Sequence, residues 1–292
     1  MSPSTTPPNI ALQRPIQPGE HRNADEIFAD YKIELELAAR LRHASKLERR
    51  HLYTELYNEF YQRVPRTPQL YFKASASEND RIVAGKIAYL SRFVKSSTHF
   101  LEIGPGDCAL CLAMAAHVSE VYAVDVSDEI TRTAQVPPNF HLALSDGDSV
   151  PVSPESIDVA YSHHVMEHLH PDDAFDQLAN LYRALKPGAV YVCITPNRLS
   201  GPHDISLYFD SVATGFHLRE YTTSELVALF RQVGFRKFRV HVGGNRKNLL
   251  LPTWPVTLCE NVLDLLPRHW SGRLARSRLG RLLLGVELIA HK

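Results

Sequence analysis

The sequence predicts an α/β protein: a doubly wound, mostly parallel seven-stranded sheet, with an N-terminal helical extension and a helical insertion before the last strand. Three observations carry this. Strand-like and helix-like periodicities alternate with short turns between residues 98 and 196, the pattern of β-α-β units with helices on both faces of a parallel sheet. A glycine turn, Gly104-Pro105-Gly106, follows the first of those strands. With 292 residues, 44% of them hydrophobic, the chain can fill one large core.

Residues 1–22 are rich in Pro, Ser and Thr and read as a disordered tail; they lack the charged head and apolar core of a signal peptide. A helical extension with its linker follows over 23–75. Its apolar positions Leu37, Leu41, Ala44 and Leu47, then Leu52, Leu56 and Phe60, predict two helices or one broken helix. Tyr53, Tyr57 and Tyr61 fall on one stripe of the second, read as packing surface, with a ligand-facing wall as the alternative. The Pro- and Ser/Ala-containing stretch 64–80 reads as the linker into a main domain over 76–292. Ile82, Val83, Ile87, Leu90 and Phe93 then predict a helix. Strands are expected at 98–103, 121–126, 140–145, 157–163 and 190–196, the last after a Pro187-Gly188 turn, with helices at 107–118 and 172–185. A loop over 197–221 leads to a helix opened by Thr222, with Glu225 three residues on as a capping box. The last two strands are expected at 236–242 and 286–290, separated by a helical insertion over 245–285.

Lys plus Arg and Asp plus Glu both number 32, so no net field draws the chain to nucleic acid, and no nucleic-acid module is recognisable. Cys108, Cys111, Cys193 and Cys259 lie in apolar stretches rather than in a spaced framework, which suits a reducing, cytoplasmic setting. No apolar run approaches the ~20 residues that span a bilayer. Arg268, Arg273, Arg276, Arg278 and Arg281 beside Trp270 read as a solvated helix face; the alternative is peripheral contact through 266–285 with a phosphate, a carboxylate or a lipid surface.

The glycine turn is where missing side chains let a ligand reach backbone N–H groups. Gly104, Gly106 and Ala109 satisfy a loose dinucleotide pattern, and Asp125 ends the second strand where a ribose-binding acid belongs. An NAD(P)-dependent oxidoreductase is therefore one reading. Glu102 counts against it: a carboxylate two residues before the first glycine would repel a pyrophosphate and attract an ammonium or sulfonium group.

Glu102-Ile103-Gly104-Pro105-Gly106 resembles the nucleotide motif of the class I S-adenosylmethionine-dependent methyltransferases, and the similarity runs from about 98 to 197. The resemblance implies a Rossmann-like methyltransferase fold, S-adenosylmethionine as cofactor, and methyl transfer to O or N of a small-molecule acceptor without a metal. It further implies that Gly104 and Gly106 pass the methionine part, Glu102 helps hold the amino group, Asp125 binds the ribose and Val126 packs on adenine. Asp146 would accept from the adenine amine, with Asp148 close enough to replace it, and Gly147 would give the ring backbone access. Asp158 would fix the start of its strand. At His163 the backbone carbonyl would hold the ammonium. The chain departs from many relatives by carrying Asp107 and Cys108 where a third small residue is usual. Cys108 and Cys111 form a C-x-x-C at a helix start, read as packing rather than redox chemistry.

The histidine-rich stretch 162–173, SHHVMEHLHPDD, falls at the carboxyl end of the fourth strand. His164 and His168 could share a helical face and a metal, but Glu167 and His168 are expected as local scaffolding and no metal is expected; His170, before Pro171, is expected to point elsewhere. In-line methyl transfer needs alignment above all, and a base only for the acceptor's proton. His164 is the preferred base, with a hydrogen-bonded wall residue as the bland alternative; His168, and His203 and His217 in the loop after the fifth strand, are further candidates. A non-catalytic cofactor-binding scaffold is the remaining rival.

Overall fold

The computed structural model describes residues 12–66, 76–127, 135–242 and 249–292. Runs of β-branched and aromatic residues build the sheet: β1 His99–Ile103, β2 Glu120–Asp125, β3 Phe140–Leu144, β4 Ile157–His163, β5 Leu185–Thr195, β6 Lys237–Val242, β7 Leu249–Pro252 and β8 Val286–His291. They form one sheet of order β3-β2-β1-β4-β5-β8-β6-β7. The first five pair in parallel, whereas β8 runs antiparallel to both β5 and β6. The reversal of strand order beside β1 puts a cleft at the carboxyl ends of β1 and β4.

Among the described residues, eight strands stand where seven are expected. The extra one, β7, pairs antiparallel with β6 inside the stretch read as wholly helical; a four-residue apolar run cannot be told from a helix start by periodicity. β5 begins five residues before the expected strand and absorbs Pro187-Gly188 as an irregularity in its pairing with β4. Asp158 accepts from His99 N at 2.8 Å and pairs with Lys186, so it anchors the start of β4 to β1.

The helices are α1 Ala24–His43, α2 Lys46–Arg63, α3 Ala76–Leu90, α4 Ala109–Met114, α5 Pro171–Ala184, α6 Thr223–Val233, α7 Trp254–Asp264, α8 Arg268–Ala275 and α9 Arg278–Leu283. Capping boxes open α1 at Asn23, α2 at Ser45 and α6 at Thr222. α3 starts at Ala76 inside the stretch read as linker, where Ala and Ser suit a first turn as well as a loop. On one face of the sheet, Leu90 of α3 and Cys111 and Met114 of α4 pack on Phe100, Val121 and Tyr161. On the other, α1, α2, α5 and α6 share a single cluster with Leu101, Ile103, Val124 and Ala160.

The segment read as a tail is held in place from residue 12 onward. Gln13 N donates to Tyr208 O at 2.7 Å, and Arg22, 8% exposed, pairs with Glu20 and Asp30. An apolar loop wall at Ile205, Leu207 and Tyr208 gives this stretch something to pack on, which its own composition cannot reveal. Among the described residues no helix is long and apolar enough to cross a membrane.

Candidate active site

The carboxyl ends of β1, β2 and β4 open onto a cavity of about 700 Å3, bounded by α1, α2, the segment before α1 and the loop after β5. Side chains along a strand alternate between faces, and this decides the fate of the first motif. Ile103 lines the cavity with Gly104 and Gly106. Glu102 points the other way; it is 3% exposed and accepts a hydrogen bond from Cys111 Sγ at 2.9 Å. Burial pushes its carboxyl up to about 7, against the pull of Cys111 and Lys86. The expected anionic wall at Glu102 is thus corrected: the residue does not line the cavity, and a buried, readily protonated carboxyl cannot sort ligands by charge. Burial, with Glu102 adding to it, also pushes the Cys111 thiol well above its ordinary value, so it is no thiolate.

Gly104 has φ +65°, and a Cβ there would lie 2.4 Å from Val165 Cγ2; Gly106 has φ +58° and nothing within 4 Å of a Cβ, so it opens onto free space. The third small residue usual in the resembling family is replaced by Cys108 at φ 57°, a left-handed conformation that costs a non-glycine residue about 1–2 kcal/mol. Asp125 ties the loop to β2: Oδ2 accepts from Gly106 N at 3.1 Å and Oδ1 from Val126 N at 2.7 Å. Oδ1 also accepts from Ser127 N at 3.3 Å, and Asp125 and Val126 both line the cavity. The carbonyl of Val126 accepts from Thr54 Oγ1 at 2.7 Å, which pins α2 over the strand tip.

Asp146 and Gly147 are not brought to the cavity. Asp146 Oδ1 caps Ser149 N at 3.0 Å, and Oδ2 lies 3.7 Å from Arg50. Gly147, at φ +103°, lies against the Tyr53 ring, which a Cβ would meet at 2.3 Å. The approach expected for adenine is filled by a tyrosine from α2, and the residue of this turn that lines the cavity is Ser145.

The histidine cluster does converge: His163, His164, His168, His203 and His217 all line the cavity. His170 does not; its ring nitrogen accepts from Asp172 N at 3.3 Å and caps α5. Burial, with His164 and Lys86 nearby, pushes His163 down to about 3. His164 sits at φ 59° with Nδ1 2.7 Å from Glu167 Oε1. Glu167 is fully buried and also accepts from Thr195 Oγ1 at 2.8 Å. Burial would raise its pKa, but the His164 hydrogen bond and the charges of His168 and His164 hold it at about 2. An ionised Glu167 fixes the proton on Nδ1 of His164 and leaves Nε2 as an acceptor.

His168 Nδ1 lies 3.1 Å from Phe216 O, and burial together with His217 pushes it down to about 4. His217 Nδ1 is 2.8 Å from Glu220 Oε1; burial opposes its charge, but Glu220 and other acids raise its pKa. Glu220 also accepts from His203 N at 2.7 Å, and these histidines outweigh its burial to hold it at about 2. Ligand atoms of Glu167, His168 and His217 lie within 4.8 Å of one another, the spacing of a shared metal ion. Both Glu167 oxygens, however, already accept from His164 and Thr195.

Several wall residues carried no sequence signal. Glu34 of α1, 9% exposed, enters the cavity near Asp204; burial, with the Asp204 charge, pushes it up to about 8. Phe216 N donates to Glu34 Oε2 across a long 3.5 Å. Tyr53, Tyr57 and Tyr61, the stripe read as packing surface, all line the cavity. Tyr57 stacks on Phe216 at 5.2 Å between centroids, and Phe60 meets Phe216 edge-on at 5.1 Å.

The parallel sheet with its antiparallel last strand, the glycine turn after β1 and the acid at the tip of β2 stand as the resemblance to the class I S-adenosylmethionine-dependent methyltransferases implies. Residues 101–193 match the family model described as a methyltransferase domain. A candidate S-adenosylmethionine-dependent methyltransferase of Mycolicibacterium smegmatis is 34% identical over 86 residues, which are 30% of this chain and 31% of that protein. The alignment thus spans about a third of the curated relative's length. Among solved structures, a chain from the complex between the Haloferax volcanii Trm112 methyltransferase activator and a candidate methyltransferase superposes with TM-score 0.50 at 15% identity, over 74% of this chain and 93% of that one. A SAM-dependent methyltransferase from Archaeoglobus fulgidus gives TM-score 0.48 at 19% identity, over 73% and 94%.

Proposed function

We propose that the protein transfers the methyl group of S-adenosylmethionine to nitrogen or oxygen of a small-molecule acceptor held in the same cavity, without a metal. The observation that carries this reading is the Asp125 carboxylate at the cavity wall, bound to the Gly106 and Val126 amides beside an open glycine turn. A carboxylate held at this strand tip suits a ribose diol, and the glycines leave room for the methionine part, so the residues present fit the cofactor. When bound, the cofactor supplies an activated methyl group on a cationic sulfur.

The chain's own residues do the rest. Gly104, Gly106, Asp125 and Val126 hold the cofactor, and the His163 carbonyl stands at the strand tip. Tyr57, Phe60 and Phe216 exclude water and align the acceptor, where most of the rate gain arises. His164, oriented through Nδ1 by Glu167, offers Nε2 to take the acceptor's proton; His168, His203 and His217 are arranged as partners of Phe216 and Glu220 and shape the acceptor side.

Glu34, raised to about 8, carries a proton at neutral pH, so the wall does not select between nitrogen and oxygen by charge. Arg22 is the one Lys or Arg lining the cavity among the described residues, and it is paired with Glu20 and Asp30. That pairing leaves no cation of the described lining to meet a pyrophosphate, which disfavours a dinucleotide coenzyme. Titration calorimetry with S-adenosylhomocysteine and with NAD(H), followed by transfer of labelled methyl groups to an amine panel and its alcohol counterparts, tests the proposal. Uptake of NAD(H) with no affinity for S-adenosylhomocysteine would overturn it; cofactor binding without any methylated product would leave a scaffold instead.

A further inference from the structure

The insertion between β7 and β8 carries the chain's most uneven surface. Of the nineteen large hydrophobic side chains exposed among the described residues, nine lie between 254 and 282. They are ordered rather than scattered. Trp254, Leu258, Val262 and Leu265, 54–86% exposed, recur at helical spacing along α7, while Val256, Glu260 and Leu263 face inward. Trp270 and Leu274 repeat the pattern on α8, as do Leu279 and Leu282 on α9. The three helices pack consecutively, so the stripes belong to one region. Isolated exposed apolar residues need no account, but a grouped set marks a contact surface.

The charge around it is one-sided. Arg268, Arg273, Arg276, Arg278 and Arg281 are all exposed, and no ion pair or side-chain hydrogen bond of theirs occurs among the described residues. Glu260 is buried and engaged by Asn197 and the start of α6, and Asp264 is taken by Arg198. Apolar stripes ringed by unpaired arginines match a surface that is anionic outside and apolar just beneath.

We propose that α7, α8 and α9 form a docking face for the surface of an anionic lipid bilayer. Trp254, Leu258, Leu265 and Trp270 enter the headgroup boundary and the arginines meet lipid phosphates and carboxylates. The face adjoins the catalytic loop: Leu199, just after β5, packs with Leu263, Ala275 and Leu284. Docking therefore brings the loop that bounds the cavity to the membrane plane.

Both tryptophans of the chain, Trp254 and Trp270, lie on this face, so their fluorescence reports the event directly. The full-length protein is mixed with phosphatidylcholine vesicles, with and without phosphatidylserine. The expected result is co-sedimentation and a blue shift of tryptophan emission with phosphatidylserine, weakened roughly tenfold or more in neutral vesicles, in high salt, or in an Arg273→Glu/Arg278→Glu variant. A Leu258→Ser/Leu265→Ser variant should lose the blue shift with its circular dichroism and thermal melting unchanged. No binding to either vesicle, or binding indifferent to the arginine changes, overturns the proposal. So does light scattering that finds a stable dimer with tryptophans already blue-shifted without lipid, since a second copy would then cover the face.

Discussion

Asp125 and His164 divide the proposed chemistry between binding and proton removal. Replacing Asp125 with Ala removes charge-assisted hydrogen bonds worth about 1.5–3 kcal/mol each, so calorimetry should find affinity for S-adenosylhomocysteine lower by roughly 100-fold. Glu102→Gln, by contrast, should leave that affinity within about threefold, because the side chain lies behind the sheet against Cys111. His164→Ala should spare affinity and lower kcat by about 10²–10⁴, the usual range for losing a general base. Glu167→Gln should lower kcat less and move its pH profile, since it acts through the His164 ring. The two motif acids illustrate what a residue-level reading can see. Asp125 sits at a strand tip, where backbone amides turn a carboxylate towards the ligand. Glu102 sits one residue inside the strand, and the alternation that puts Ile103 on the cavity side already sends it to the other face.

At the scale of elements, α2 is the decisive one. Its Arg49, 3% exposed, donates to both oxygens of Asp173 on α5 at 2.6 and 2.8 Å, and Tyr53 donates to the same carboxylate at 2.8 Å. Asp173→Ala leaves that buried arginine with the Ala44 carbonyl and the exposed Asp172 carboxylate at 3.7 Å and should cost about 3 kcal/mol of stability in denaturant unfolding. Gly147→Ala drives a methyl into the Tyr53 ring at an unfavourable φ and should cost about 1–3 kcal/mol. The helix itself was legible from its apolar spacing, and the structure adds a Ser45 to Glu48 capping box at its start. Its position over β2 and β4 was not, because the partners that fix it are over 70 residues away at Val126 and over 100 at Asp173. The same distance hid the adenine-side change, since nothing near Gly147 announces Tyr53. The missed strand β7 has a local cause: Leu-Leu-Leu-Pro is too short to carry a period.

Across the whole molecule, buried acids of opposite kinds set the response to pH. Glu34, raised to about 8, and Glu102, raised to about 7, hold protons in the folded state that the unfolded chain releases near 4.5. Their contribution is present below pH 4.5 and is lost as pH rises through 7 and 8. Glu167 and Glu220, held at about 2, act in the reverse sense, and their contribution is lost as pH falls from 4.5 through 2. Thermal melting should therefore decline on both sides of mildly acidic pH. In a Glu34→Gln variant the decline between pH 4.5 and 8 should flatten, and an unchanged profile would mean that Glu34 is not the buried acid responsible.

Local sequence determined the parallel sheet, the glycine turn, the Asp125 anchor and the histidines at the end of β4, because period, turn chemistry and strand ends are properties of neighbouring residues. Tertiary structure alone decided that Glu102 faces a cysteine, that Tyr53 fills the place expected for adenine, and that Glu34 joins His217 and Asp204 in one wall. Those outcomes depend on which distant surfaces bury one another, and burial is settled by the packed chain as a whole.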